Sequence, residues 1–184
     1  MKKVFIGGSR RISRLNDDVR GRLDQMIERR LCILVGDANG ADKALQTYLG
    51  ERGYRNVIVF CSAGHCRNNM AGWPVTSVTP PHHIRDFGFF AAKDLAMARE
   101  ADVGLMLWDG KSSGTIVNVA RMIAANKPVV VYVSPQRDFS TVRSASDLEI
   151  LLSLCSGTVR KRIDGRIAEH AGELAQSRLF PAVT

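Results

Sequence analysis

Short apolar runs alternate with longer amphipathic stretches along most of the chain. Residues 3–7, 32–36, 57–61, 102–108 and 128–133 are largely apolar or β-branched at successive positions, which predicts strands buried on both faces. Between the first two, Val19, Leu23, Met26 and Ile27 share one helical face, introduced by Asn16-Asp17-Asp18, whose side chains suit an N-cap and the positive end of a helix dipole. Ala41, Ala44, Leu45, Tyr48 and Leu49 form a second such face, closed by Gly53. Phe87, Phe90, Ala91, Leu95 and Ala98 form a third. Ile116, Val119, Ala120 and Ile123 form a fourth, which ends at Asn126-Lys127 before Pro128.

Doubly apolar strands alternating with helices imply a parallel sheet covered on both sides by right-handed crossovers. The expected fold is α/β: a Rossmann-like parallel sheet of about five strands with helices on both faces, plus a C-terminal helical appendage. Residues 1–133 are read as the nucleotide-binding body. Ser134-Pro135 breaks the pattern, and residues 147–155 and 158–176 read as two further helices, the longer carrying the stripe Val159, Ile163, Ile167 and Leu174. Residues 134–184 are therefore expected to pack on the body or to form an oligomer contact, giving a homo-oligomer, dimer or tetramer. One connection, residues 62–85, has little periodicity and is read as a binding loop, a lid or a mobile segment.

With 184 residues the chain suits one domain, and 45% hydrophobic with 24% charged residues is ordinary for a globular protein. No apolar run approaches the roughly 20 residues of a membrane span. The start, Met1-Lys2-Lys3, lacks a signal-peptide pattern, and the four scattered cysteines suit a reducing compartment, so a cytoplasmic location is expected. The net charge of +8 changes the picture, since it favours anionic ligands. Residues 1–133 hold 19 basic against 12 acidic side chains and residues 134–184 only 7 against 6, so the excess lies in the body and not in a tail.

Parallel α/β sheets bind ligands at the carboxyl ends of their strands, which directs attention to three loops. The first strand ends in Gly7-Gly8-Ser9-Arg10, with glycines for close backbone approach, a hydroxyl and a guanidinium. The second ends in Gly36-Asp37-Ala38-Asn39-Gly40-Ala41-Asp42, where free N–H groups at a helix start suit an anion or a ribose, and where Asp42 could equally cap the helix. The fourth ends in Asp109-Gly110-Lys111-Ser112-Ser113-Gly114-Thr115, joining glycines, hydroxyls and a lysine to a helix dipole; it is the strongest phosphate signal in the chain. A Walker motif is excluded because Leu105 stands where it needs a glycine, and no Gly-x-Gly-x-x-Gly follows the first strand.

Together these loops resemble the three landmarks of the SLOG superfamily, which includes the Lonely-Guy phosphoribohydrolases, the DNA-processing-A single-strand-binding proteins and less characterised nucleotide-binding branches. The Gly-x-Ala-x-Gly-Ala-Asp form of the second loop is most similar to one of the latter. The resemblance spans residues 1–133 and implies a Rossmann-like nucleotide site and frequent dimerisation. The Lonely-Guy pattern Pro-Gly-Gly-x-Gly-Thr-x-x-Glu supplies a catalytic glutamate, whereas here Gly114-Thr115-Ile116-Val117 is followed by Asn118, which cannot act as acid, base or nucleophile. The same family places an arginine four residues before a helical methionine; here Lys93 precedes Met97, keeping the charge without the bidentate fork.

Phosphate binding thus transfers better than catalysis. The expected ligand is a nucleotide or nucleotide-derived small molecule, bound, with sensing as one form of that reading, by Gly7 to Arg10, by Gly36, Asn39, Gly40 and Asp42, and by Gly110 to Thr115 with Asn118. An N-glycosidic-bond hydrolase with a relocated carboxylate is the alternative, its catalytic candidates being Asp37, Asp42 and Asp109, with Lys93. Single-stranded nucleic-acid binding ranks third, because only 7% of residues are aromatic and the basic residues are dispersed. No metal or cofactor is expected: Cys61, His65, Cys66, His82 and His83 lack the spacing of a common zinc site. Trp73, His82 and His83 are read as possible stacking partners for a base.

Overall fold

The computed structural model describes residues 1–64, 66–79 and 87–172, with the backbone alone for 87–90. Its elements run β1 (Lys3–Gly8), α1 (Asp17–Glu28), β2 (Cys32–Gly36), α2 (Ala41–Glu51), β3 (Val57–Ser62), β4 (Val75–Val78), α3 (Phe87–Glu100), β5 (Val103–Trp108), α4 (Ser113–Ala124), β6 (Val129–Val133), β7 (Asp138–Val142), α5 (Ala145–Leu152) and α6 (Gly157–Glu169). The sheet order is β4-β3-β2-β1-β5-β6-β7, parallel throughout except for β7. This is the expected Rossmann-like α/β architecture.

The period-2 geometry of a strand sends neighbouring side chains to opposite layers. In β2, Ile33 and Val35 join α1 and α2 in one core cluster, while Cys32 and Leu34 join α3 and α4 in the other. All five residues of β2 are buried, which explains why the strand shows no polar alternation in the sequence. Asn16 caps α1 by accepting the Val19 N–H at 3.2 Å, as its position suggested.

Among the described residues the sheet has seven strands rather than about five. β4 lies inside the connection read as a loop, and β7 follows the Ser134-Pro135 break. Both are short, partly exposed edge strands with polar residues, so they lack the apolar signature that marks the interior strands. The described part of that connection is also fastened. Trp73 is buried at 4% exposure in the α1–α2 core, with its indole N–H donating to the Tyr54 carbonyl at 2.8 Å, and it cannot stack on a base in the cleft. His65, His82 and His83 lie outside the described residues, as does Leu174.

β7 pairs antiparallel with β6, and α6 packs on α4. Ile163 is fully buried in the same cluster as Val119, with Val159 and Ile167 packed against it. The described part of the stripe that suggested an oligomer contact, Val159, Ile163 and Ile167, therefore packs against the chain's own body. Among the described residues no helix is long and apolar enough to cross a membrane.

Gly40 determines how the first two loops meet. It adopts φ +82°, ψ −126°, a conformation closed to L side chains, and a Cβ there would overlap the backbone of Arg10. The Ala41 N–H also donates to the Ser9 carbonyl at 3.1 Å, locking the β1–α1 loop onto the start of α2. Gly40→Ala is expected to cost about 2–5 kcal/mol, combining backbone strain with overpacking. Thermal melting should fall by roughly 5–15 °C, and an unchanged midpoint would show that the two loops can separate freely.

Candidate functional site

After β1 the chain builds outward through β2, β3 and β4 on one side, then returns to lay β5 against the other side of β1. The β1–β5 boundary is thus a topological switch point, where the departing loops part and leave a crevice at the carboxyl ends. A cleft of about 380 Å³ opens there, within the ~300–1,000 Å³ typical of small-molecule sites.

One wall is the β5–α4 loop. Asp109 Oδ1 accepts the N–H groups of Lys111 and Ser112 at 3.0 and 2.7 Å, folding the loop back on itself. The indole N–H of Trp108 donates to the Ser112 carbonyl at 3.2 Å. Ser112 caps α4, its hydroxyl accepting the Thr115 N–H at 3.4 Å and the Thr115 hydroxyl at 3.0 Å. The N–H groups of Ser113 and Gly114, in the first turn of α4, form no hydrogen bond among the described residues. From the C-terminal extension, Arg162 donates to the Lys111 carbonyl at 2.6 Å and lines the same cleft. Arg10, Arg11, Lys111 and Arg162 therefore give the mouth a basic rim.

The floor is a charged cluster centred on Lys93, which is 3% exposed. Its ammonium lies 3.4 Å from Asp37, 3.8 Å from Asp42 and 3.4 Å from Asp94. Burial disfavours the Lys93 charge, but the carboxylates of Asp94, Asp42 and Asp37 outweigh it and hold the pKa above its ordinary value. Burial would likewise raise Asp37, yet hydrogen bonds from Arg67 and the Lys93 charge bring it below the usual carboxylate range. Arg67 grips Asp37 through its backbone N–H at 3.1 Å, Nε at 3.0 Å and Nη2 at 2.7 Å. Asp42 is pushed up to about 6, chiefly by burial and against the pull of Lys93.

Of the predicted site residues, the cleft gathers Gly7, Gly8, Ser9 and Arg10 from the first loop, Asp42 from the second, and Asp109, Lys111, Ser112, Ser113, Gly114 and Thr115 with Asn118 from the third, together with Lys93. Gly36, Asn39, Gly40 and Gly110 do not line it. Gly36 instead makes room for the floor, since a Cβ there would collide with the Asp42 carboxylate and the Lys93 ammonium. Asn39 is exposed, bonded to Asn68 at 3.1 Å. Asp37 is sealed behind Arg67 at 1% exposure. Asn118 bridges two charged groups, donating to Asp94 at 3.1 Å and accepting from the buried Arg121 at 2.7 Å.

Sequence reasoning missed Arg11, Arg67, Asp94, Arg121 and Arg162. Asp94 stood beside Lys93, on a helix already tied to the site by resemblance; the others carried no local signal. Among the described residues no set of three His, Cys, Asp or Glu side chains gathers to hold a metal. Burial and the Cys61 thiol push Cys66 up to about 12, so it stays a protonated thiol at neutral pH.

The class defined by this geometry is a Rossmann-like α/β protein with a polar cleft at its switch point. In structure it is similar to DNA processing protein A from Helicobacter pylori, described for a unique single-stranded DNA binding mode, with a TM-score of 0.55 and 16% sequence identity over 91% of this chain and 81% of that one. At this identity the likeness establishes the shared fold. No protein-family model matches the chain, and no curated protein matches it significantly in sequence.

The floor generates a pH signature. Asp42 binds its proton more tightly in the folded protein than at the ordinary value of 3.8, so its contribution to stability falls as pH rises from about 4 to about 6. Asp37 acts with the opposite sign, its contribution being lost as pH falls through its depressed value. Relative to Asp42→Asn, the wild type should lose on the order of 2–3 kcal/mol across pH 4–6. Paired denaturant titrations at several pH values measure this, and a difference that stays flat would mean that Asp42 titrates normally.

Proposed function

We propose that the cleft binds a nucleotide or a nucleotide-derived small molecule, with phosphate at the start of α4. The observation that carries this reading is the pair of N–H groups on Ser113 and Gly114 that no described residue engages, placed at the positive end of a helix in a cleft also lined by Lys111, Arg10 and Arg162. The rim draws an anion inward, while the floor presents carboxylates that suit neutral donors and repel a second phosphate. A molecule with one anionic end and one hydroxyl-rich end matches both regions. The SLOG resemblance of the three loops points the same way.

Binding without turnover accounts for Asp109 and Asp37, whereas Asp42, in the cleft with its carboxyl pushed up to about 6, is the carboxylate left to the hydrolase alternative. Asp109 is engaged in folding its loop and Asp37 is clasped by Arg67, so neither is placed as a ready acid or base. A second reading, single-stranded DNA binding, is favoured by the DNA-binding structural neighbour and by the cationic rim.

Calorimetry with adenosine, guanosine, cytidine and uridine monophosphates tests the proposal. Gly114→Leu should abolish binding in a folded protein by blocking backbone approach, and Arg162→Ala should weaken it by about 3- to 30-fold, the ordinary effect of removing a charge-assisted contact. Undiminished affinity in a folded Gly114→Leu protein would remove the α4 start from the site. A salt titration with single-stranded DNA separates the second reading, since affinity carried by several phosphate contacts must fall steeply with ionic strength.

A further inference from the structure

The floor contains three carboxylates, and they differ in what remains available to a ligand. Asp37 is closed off, its two oxygens taken by Arg67 and Lys93. Asp42 accepts the Ala38 N–H at 3.1 Å and lies against Lys93, with its side chain 10% exposed. Asp94 is the open one, with its side chain 27% exposed on the cleft wall. Lys93 stands 3.4 Å from its Oδ1, and Asn118 Nδ2 donates to its Oδ2 at 3.1 Å. These two partners sit one on each oxygen, so the carboxylate is held at both ends.

A carboxylate offers roughly four acceptor positions, two on each oxygen. Lys93 and Asn118 occupy one apiece, leaving one on Oδ1 and one on Oδ2. Two adjacent hydroxyl donors fill that pair of vacant positions. A cation would meet the opposing charge of Lys93, and an anion would meet the carboxylate itself, so neutral O–H donors are the chemistry that fits. Position matters as well. Asn118, to which Asp94 is bonded, lies less than one turn beyond Thr115 on α4, a rise of about 4.5 Å. In a 5′-nucleotide the cis-diol of the ribose lies only a few bonds from the phosphate.

We infer that Asp94 is the sugar-selecting residue of the cleft, its carboxylate accepting the 2′- and 3′-hydroxyls of a ribose whose 5′-phosphate rests at the start of α4. The inference rests on the nucleotide reading above and sharpens it, because it makes the ligand a ribonucleotide and excludes its deoxy counterpart. A 2′-deoxy sugar leaves one oxygen of Asp94 desolvated without a donor, and a site built around a hydroxyl penalises its absence. Lys93 and Asn118 act here as positioning residues that hold the carboxylate in place.

The test compares each ribonucleoside 5′-monophosphate with its 2′-deoxy and 3′-deoxy forms by calorimetry on the full chain, then repeats the series with Asp94→Ala. The expected result is that whichever ribonucleotide binds best weakens about 10- to 100-fold on loss of either hydroxyl, the range for one hydrogen bond to a charged acceptor. In Asp94→Ala the preference should vanish while affinity for inorganic phosphate is retained. Equal binding of ribo and deoxy forms by the wild type overturns the role of Asp94 and leaves the nucleotide site standing. A sugar preference that survives in folded Asp94→Ala also overturns it. Failure of every nucleotide to bind overturns both readings. Should Asp94→Ala not fold, the wild-type comparison alone decides.

Discussion

Everything around the cleft is arranged so that one ammonium group can be buried. Removing a lysine head group from water costs several kcal/mol, which is recovered only when charges and hydrogen bonds surround it closely. Lys93 finds its partners on separate elements: Asp37 and Asp42 from the end of β2 and the start of α2, and Asp94 from its own helix. The partners are themselves held, Asp37 by Arg67 and Asp94 by Asn118. The missing side chain at Gly36 supplies the space in which they meet. A single buried charge thereby fixes the relative placement of β2, α2, α3, α4 and the connection carrying Arg67.

Such a cluster is costly to form and more costly to break, because each charge left without its partner remains buried. It also divides the cleft electrically. Cations crowd the mouth, where solvent screens them and where they can meet a ligand. The carboxylates lie at the floor, where the low dielectric strengthens every contact they make. The cationic mouth and the acidic floor are thus separated in space although they share one small volume, and the α4 helix joins them, with Ser113 and Gly114 at its tip and Asn118 further in.

Much of this was legible in the sequence, and the exceptions have physical causes. Strands β1, β2, β3, β5 and β6 announced themselves because burial on both faces removes polar residues from them, whereas β4 and β7 sit at sheet edges and are composed like loops. The first and third loops were readable as neighbours at one sheet edge, where they line the cleft, because strand order alone brings carboxyl ends together. The second loop was only half understood. Its glycines suggested backbone approach to a ligand, but Gly36 and Gly40 accommodate the protein's own atoms, namely the Lys93–Asp42 pair and the Arg10 backbone. Local sequence gives the same signal in either case, since a missing Cβ does not say what takes its place. Arg67 and Arg162 were invisible for a different reason: their partners, Asp37 and Lys111, are distant in sequence, and only the folded sheet brings them together.

The choice of lysine at position 93 follows from the same geometry. A guanidinium is planar and directs its donors as a fork, so it satisfies one carboxylate well and reaches others only along its plane. The ammonium of Lys93 has three donors about a point and stands near three carboxylates at 3.4 to 3.8 Å. The two residue types thus belong to different designs. Here the point charge lies at the cleft floor at 3% exposure, engaged by three carboxylates of the protein itself. The more exposed acidic surface of the cleft is that of Asp94, which the ammonium holds in place.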